Sequence, residues 1–483
     1  MCNKRQLLVC ALVIISLGQA QGNERQPLNV LFIAVDDLRP DLGCYGVGYA
    51  PSPNIDRLAK QGMVFRNHFV QVPTCGASRY SMLTGRSPAV TGFTRGNSGF
   101  YSGSSALSPE ILPGAQTMPE LFKRSGYTTI LIGKISHTAD GRVYAYNGTG
   151  DGRDEIPNAW TEMSTPYGSW KRGWGIFFAY ANGIHREDGN GAKNLVDFTV
   201  KNDNELPDGQ MAEHAVSRLR HLANQDKPFF MGLGFFKPHL PFVAPKKDWD
   251  ALKKAVIPSP PYPQKINSHY WHGSGEFYKY KFPYLKRPLS SKNVTNVRRS
   301  YLACVRYMDR QIGKVLDVLD ETNLSENTII VLWGDHGWNL GDSDLWAKHT
   351  PFERAVRSPL IISVPGMKHK GVSCDSLVES LDLFPTLIDL AKPSFTRIQH
   401  SLDGKSLAGI FTNPKATVRD AALSYWRDGI TARTRTHRLI VTSKDGQLKN
   451  VELYDESTNF DPVINKASME PDLVNKLKAY LPN

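Results

Sequence analysis

The chain runs to 483 residues, with 41% hydrophobic and 22% charged side chains and a formal net charge of +12. That balance excludes a largely disordered chain and a multi-span membrane protein, and at ~100–200 residues per domain the length allows two to four domains. The basic excess suits a polyanion such as nucleic acid, anionic lipid or an acidic polysaccharide; without a Lys/Arg-rich tract or a nucleic-acid motif, nucleic acid is disfavoured.

The N-terminus reads as an export signal. Lys4 and Arg5 precede an apolar run over residues 7–17, and Gly18-Gln19-Ala20 is a small-residue cleavage site. The run is too short to span a membrane, which takes ~20 apolar residues. Cleavage near Ala20 predicts a secreted or periplasmic protein with no stable membrane span. Of the six cysteines, Cys2 and Cys10 leave with the signal; Cys44, Cys75, Cys304 and Cys374 remain. Four in so long a chain make no disulfide scaffold.

Strand-length apolar runs then alternate with helical periodicity. Residues 30–35 (VLFIAV) predict a buried strand. Ser52 and Pro53 open a helix with Ile55, Leu58 and Ala59 on one face, ending at Gly62. Thr117 starts a short helix through Leu121 and Phe122, followed by a strand at 128–132 (TTILI). Ala212, Ala215, Leu219 and Leu222 form a helical stripe before a strand at 229–236 (FFMGLGFF). A long helix runs from Val297 to Leu319, followed by strands at 328–333 (TIIVLW) and 360–364 (LIISV), then a helix near 381–390. This alternation predicts an α/β domain with a mostly parallel, buried sheet. Residues 135–208 and 240–293 have weak periodicity and read as long surface insertions. Short strand candidates at 430–435, 439–442 and 451–454 and a helix at 473–481 predict a small antiparallel sheet with a terminal helix. The organisation expected is a signal over 1–20, a catalytic domain over 27–415 and a small C-terminal subdomain over 416–483.

Ligands in open α/β sheets sit beyond the carboxyl ends of the strands. Four strands here end in polar groups: Asp36-Asp37, Lys134 with His137, Lys237-Pro238-His239, and Asp335-His336. Clustered carboxylates repel, and a divalent cation removes the conflict. Aspartate oxygens point to Ca²⁺, with Mg²⁺ as the alternative, not to a thiolate zinc site.

Between the first helix and Leu83 lies Cys75-Gly76-Ala77-Ser78-Arg79, then Leu83-Thr84-Gly85-Arg86. The pattern C-x-[PA]-x-R followed by L-T-G-R resembles the type I sulfatases. The resemblance extends in order through residues 29–44 (NVLFIAVDDLRPDLGC), 133–137, 235–242 (FFKPHLPF), 334–338, 345–348 (LWAK) and 452–455. DDLRP, KPHLPF and DHGW are most similar to the iduronate-2-sulfatase branch. Ala77 departs from the commoner Pro. The resemblance implies an alkaline-phosphatase-like fold: a large mixed, mostly parallel sheet between helices, with the small antiparallel sheet and helix at the C-terminus. It also implies that Cys75 is oxidised to formylglycine (3-oxoalanine), whose hydrate supplies one hydroxyl to attack sulfur and another to release sulfate.

What it implies for the other residues follows position by position. Asp36, Asp37, Asp335 and His336 hold the metal with residue 75. Arg79 fixes the gem-diol. Lys134, Lys348 and His239 bind sulfate oxygens, with His239 as general acid toward the leaving sugar oxygen and His137 as proton acceptor during sulfate elimination. The implied partners are a sulfated glycan substrate and a formylglycine-generating or sulfatase-maturing enzyme. Tyr144, Tyr146, Trp170, Arg172 and Trp174 are candidates for stacking on sugars or pairing with sulfates. Glycosaminoglycan, carrageenan and ulvan are all open as substrates. Two other readings remain: a phosphoester or phosphonate hydrolase of the alkaline phosphatase superfamily, and an inactive homologue that binds anionic polysaccharide.

Overall fold

The computed structural model describes residues 27–188, 193–281, 287–444 and 447–482; the export signal expected at residues 1–20 lies outside the described residues. The framework is one eight-stranded sheet. In chain order its strands are β1 (Asn29–Val35), β2 (Met63–Phe69), β3 (Thr128–Gly133), β4 (Glu162–Met163), β5 (Phe229–Phe235), β6 (Thr328–Gly334), β7 (Leu360–Ser363) and β8 (Val372–Glu379). They lie side by side as β8-β2-β7-β6-β1-β5-β3-β4. All neighbours are parallel except β7, which is antiparallel to β2 and to β6.

The middle strands are apolar on both faces because both faces are covered. Leu31, Ile33 and Val35 of β1 enter one core with Ile55 and Leu58 of α1 (Pro53–Gln61), Met211 and Leu219 of α4 (Pro207–Leu222) and Tyr301 and Ile312 of α5 (Ser291–Glu321). Val30, Phe32 and Ala34 enter the other with Tyr80 and Leu83 of α2 (Cys75–Thr84), Phe122 of α3 (Met118–Arg124) and Phe384 of α6 (Leu383–Ala391). Three strand registers coincide: Val35 pairs with both Phe235 and Gly334, and Gly133 pairs with Gly234. The polar residues that follow β1, β3 and β6 therefore leave the sheet along one edge.

Two expectations are corrected. Residues 135–208 and 240–293 do not lie wholly on the surface: Trp170, Trp174, Phe177, Phe178 and Leu240 are buried in the first core, while most of 251–281 is exposed or half-buried as expected. Of the candidate sugar contacts, the Trp170 indole donates to the carbonyls of Tyr180 (2.9 Å) and Ile184 (3.0 Å), and Arg172 donates to those of Tyr146 (2.8 Å) and Glu187 (3.1 Å). Trp170 is buried and held by these bonds, and the half-buried Arg172 is tied to the backbone.

The C-terminal part forms an antiparallel sheet of β9 (Ala422–Trp426), β10 (Gly429–Arg433), β11 (His437–Lys444) and β12 (Gln447–Asp455), with α7 (Pro471–Lys478) packed on it. A buried charge network ties it to the main body. Arg438 of β11, 0% exposed, donates Nε to Glu456 (2.8 Å) and pairs with Glu353, which also accepts from Arg433 Nε (3.1 Å). Removing Arg438 leaves Arg433 facing two buried carboxylates, Glu353 and Glu456, and breaking a buried charge network of this kind costs ~3–5 kcal/mol. Arg438→Ala is therefore expected to lower the unfolding free energy by about that amount; a denaturant titration giving under ~1 kcal/mol would show that the network does not hold the two parts together.

Candidate active site

At the sheet edge the backbone sets the positions first. Asp36 N donates to Phe235 O (3.2 Å), Asp335 N to Val35 O (3.1 Å) and Lys134 N to Gly234 O (3.0 Å), each extending its ladder by one bond. Gly133 turns the chain at φ 76°, and a Cβ there would lie 2.2 Å from Gly234 O, so no larger residue fits where β3 passes Lys134 into the site. Asp37 also has positive φ (58°). Its N–H donates to Asp335 Oδ1 (3.0 Å) and its carbonyl accepts from the Tyr301 hydroxyl (2.8 Å).

Cys75 stands on a helix. It is the first residue of α2, 4% exposed, and all ten residues of that helix are buried. Tyr80, Met82 and Leu83 pack into the core, and Gly85 ends the helix at φ 68°. A Cβ on Gly76 would sit 2.3 Å from Asn97 Cα, so this position admits the segment 97–100 only as glycine. Cys75 Sγ lies 3.3 Å from each of Asp36 Oδ1, His336 Nε2 and Lys348 Nζ.

Around the sulfur, cations and carboxylates alternate. Lys134 Nζ lies 2.5 Å from Asp36 Oδ2, Lys348 Nζ 2.8 Å from Asp37 Oδ1, and Arg79 Nε 2.9 Å from Asp335 Oδ2. Arg79 also donates Nη1 to the carbonyls of Lys134 and Ile135, locking the start of α2 to the end of β3. Burial alone would raise the Asp36 carboxyl, but Lys134, His239 and Arg79 reverse that and hold it well below the ordinary carboxylate value. Burial pushes Asp37 well above that value; Lys348 pulls it down and the neighbouring Asp36 adds to the rise. Burial pushes the Cys75 thiol up to about 12.

These residues fit a cation. Asp37 Oδ2 is fully buried and has no hydrogen-bond partner. His336 Nδ1 faces Gly337 O at 3.0 Å, so Nδ1 carries the proton and the Nε2 lone pair points at Cys75, at Asp37 Oδ1 (3.5 Å) and at Asp335 Oδ1 (3.6 Å). Nε2 and the oxygens of two carboxylates thus converge on one point, as the ligands of a cation do. Single ligand atoms of Asp36, Cys75, Asp335 and His336 all fall within 4.8 Å of one another, as do those of Asp36, Asp37, Cys75 and His239. His239 Nε2 is engaged elsewhere, 3.0 Å from Glu276 Oε1, which leaves Asp36, Asp335 and His336 beside residue 75, with Asp37 Oδ1 3.5 Å from His336 Nε2, as the candidate ligands. Three carboxylates and one imidazole suit a hard divalent cation.

Above this floor is a cavity of about 300 Å³ lined by Cys75, Lys134, His137, His239 and Lys348. Tyr146, Trp174, Phe177 and Phe178 form an aromatic wall on it. His137 packs against Trp174 (5.5 Å between ring centroids), and its Nδ1 has no partner. Burial, then Lys134, pushes the His137 imidazolium well below its ordinary range, so the ring is neutral. His239 Nδ1 lies 2.7 Å from Leu240 O, which places the proton there and turns Nε2 to the pocket. Burial, then Lys348, pushes His239 down to about 4.

All ten sequence-derived site residues are thus gathered at one place. Lys237, grouped with them at the strand end, is not: its ammonium donates to the carbonyls of His239 and Pro241. The sequence did not single out Glu276, Arg186, Lys279 or His349, which also line the cavity. Glu276 braces two functional side chains, His239 and Lys348 (3.5 Å). It sits in an aromatic, aperiodic stretch with no motif to mark it.

Comparison with known proteins follows the same lines. The Sulfatase family model matches residues 28–393, and the model of the N-sulphoglucosamine sulphohydrolase C-terminal region matches residues 334–478. The chain is similar to iduronate 2-sulfatase of Mus musculus, 33% identical over 424 residues that cover 80% of this chain and 72% of the relative. It is also similar to a sulfatase of Formosa agariphila, 30% identical over 493 residues, covering 96% and 88%. The fold matches that of a phosphonate monoester hydrolase from Silicibacter pomeroyi, with a TM-score of 0.73, 21% identity and 94% of each chain covered. The large mixed sheet between helices, with its small C-terminal antiparallel sheet, is thus an alkaline-phosphatase-like fold.

Proposed function

The chain belongs to the sulfatase family and is a sulfuric ester hydrolase, and from that premise we propose that it desulfates sulfated glycans, with residue 75 converted to formylglycine and Ca²⁺ held by Asp36, Asp37, Asp335 and His336. The observation that carries this reading is the convergence of Lys134, Lys348 and His239 around residue 75 at the floor of a pocket with an aromatic wall. Cations at the floor suit a sulfate; flat aromatic faces above it suit a sugar ring.

In this reading, the formylglycine hydrate supplies two hydroxyls on one carbon, one to attack sulfur and one to expel sulfate. The cation, when bound, supplies positive charge that acidifies a coordinated hydroxyl and reconciles the three aspartates. The chain's own residues do the rest. Lys134 and Lys348 approach residue 75 from two sides and stabilise charge that grows on the sulfate oxygens. Phe177 covers the Lys134 ammonium at 4.2 Å, and Trp338 lies 5.3 Å from that of Lys348, so both charges act in a site from which water is largely excluded. His239 takes up a proton from solvent at Nε2, where Glu276 Oε1 lies 3.0 Å away and favours the charged ring, and delivers it to the leaving sugar oxygen, returning to the neutral Nδ1–H form. His137, neutral and with a free Nδ1, accepts the proton released when sulfate is expelled.

Export across a membrane and maturation of Cys75 by a formylglycine-generating or sulfatase-maturing enzyme belong to the same proposal. Among the described residues no helix is long and apolar enough to cross a membrane. Similarity to iduronate 2-sulfatase puts glycosaminoglycan first among the substrates, with carrageenan and ulvan next. The test is sulfate release by ion chromatography from heparan sulfate, dermatan sulfate, carrageenan and ulvan oligosaccharides, with 4-nitrophenyl sulfate and phosphate in parallel. Free sulfate from at least one glycan, lost on chelation and restored by Ca²⁺, is the expected result. Faster turnover of the phosphate ester would move the reading to a phosphoester hydrolase. Tight glycan binding without sulfate release by formylglycine-containing protein would leave a polysaccharide-binding homologue.

A further inference from the structure

Lys237 and His239 stand two residues apart after β5, yet the structure gives them different surroundings. Lys237 is 3% exposed and does not line the pocket. Its ammonium donates to two main-chain carbonyls, those of His239 (3.1 Å) and Pro241 (2.6 Å), and among the described residues no carboxylate lies within ion-pair distance of it. Asp208, the nearby acid at the start of α4, accepts instead from the backbone N–H groups of Phe236 (2.7 Å) and Lys237 (3.3 Å).

Burying an ammonium without a counter-charge is costly, and a methionine of similar length would fill the same space but leave the carbonyls of His239 and Pro241 without a donor. The charge therefore serves the backbone it holds, and the geometry shows what that backbone does. The two carbonyls that Lys237 holds lie on either side of the Leu240 carbonyl, and the Leu240 carbonyl accepts the Nδ1 proton of His239 at 2.7 Å. We propose that Lys237 is a positioning residue: by clamping the carbonyls of 239 and 241 it aims the Leu240 carbonyl at Nδ1, fixes the His239 tautomer and keeps Nε2 turned to the pocket. Asp208 anchors the other end of the same segment. The proposal rests on the reading of His239 as proton donor.

The test compares Lys237→Met and His239→Ala with the wild type on phenyl sulfate and 4-nitrophenyl sulfate, beside ¹⁵N spectra of histidine-labelled protein. Phenolate is the poorer leaving group and needs the proton more. Misaimed by Lys237→Met, His239 should lose roughly 10–100-fold in kcat on phenyl sulfate and no more than about threefold on 4-nitrophenyl sulfate, with KM unchanged on both. The neutral His239 signal should pass from the Nδ1–H tautomer to a mixture. Equal losses on the two esters, or an unchanged tautomer, would overturn the proposal. If Lys237→Met does not fold, Asp208→Asn loosens the segment from its other end and must show the same unequal loss; an equal one overturns the proposal too. If His239→Ala itself loses equally on both esters, the proton-donor reading fails, while the tautomer measurement still decides whether Lys237 sets the ring.

Discussion

Cys75→Ala is expected to reduce sulfate-ester turnover by on the order of 10⁴-fold or more, to background, while the thermal midpoint moves by only a few degrees. The activity loss follows from the chemistry that residue 75 must perform. Alanine has no atom to attack sulfur. An alcohol or thiol offers one such atom but no second hydroxyl on the same carbon to release the product, so it would stay esterified. Only the hydrated aldehyde has both. The small stability cost follows from the structure. Although Cys75 is 4% exposed, its side chain touches mainly charged groups, Asp36, His336 and Lys348. Losing one sulfur there costs about 1 kcal/mol. The burial also constrains maturation. In the folded chain Cys75 lies at the pocket floor at the head of a wholly buried helix, so the proposed maturation is expected to take place before α2 packs. Mass spectrometry of the peptide from active protein should show loss of the thiol and gain of an aldehyde or its hydrate. Fully active protein carrying only cysteine would falsify the formylglycine reading.

How much of this was legible depended on how each residue is held. The central strands β1, β5 and β6 are covered on both faces, so they appear in the sequence as unbroken apolar runs, and the polar residues after them stand out. That is why Asp36, Asp37, Asp335 and His336 could be named from the sequence. Strand β2 hides because Arg66, Asn67 and His68 interrupt its apolar run, and β8 because it is an edge strand with exposed and buried positions mixed. The first C-terminal strand, Ala422–Trp426, mixes buried and half-buried positions and shows no unbroken apolar run. Glu276 was out of reach for a different reason: its role arises from a long loop folding back over His239 and Lys348, and nothing periodic records that. Lys237 shows the opposite failure. The sequence places it beside His239, but the chain turns between them, and one side chain faces the pocket while the other supports the backbone beneath it.

That separation gives the His239 prediction its content. His239→Ala should lower turnover of a sulfated oligosaccharide by ~10²–10⁴-fold, the usual value of a well-placed general acid, and turnover of 4-nitrophenyl sulfate by about tenfold or less. A sugar alkoxide is a strong base and leaves only as it is protonated, whereas nitrophenolate leaves without much help. Some loss on both substrates is expected because His239 Nε2 lies 3.8 Å from Asp37 Oδ2 and 3.0 Å from Glu276 Oε1, so the ring also helps to order the sulfate pocket. The ratio of the two losses separates these contributions. A ratio well above ten means that proton delivery dominates. A ratio near one would mean that His239 only binds sulfate, and the proton donor would then have to be His137 or Lys348. Burial keeps His137 neutral, so it could donate only after first taking up a proton. Lys348 is held charged by Asp37 beside it, and it would have to surrender a proton that its own ion pair retains. His239, pushed down to about 4 by burial, must likewise first take up a proton, but Glu276 Oε1 lies 3.0 Å from its Nε2 and favours the charged ring there, and its Nδ1 is already committed to the backbone.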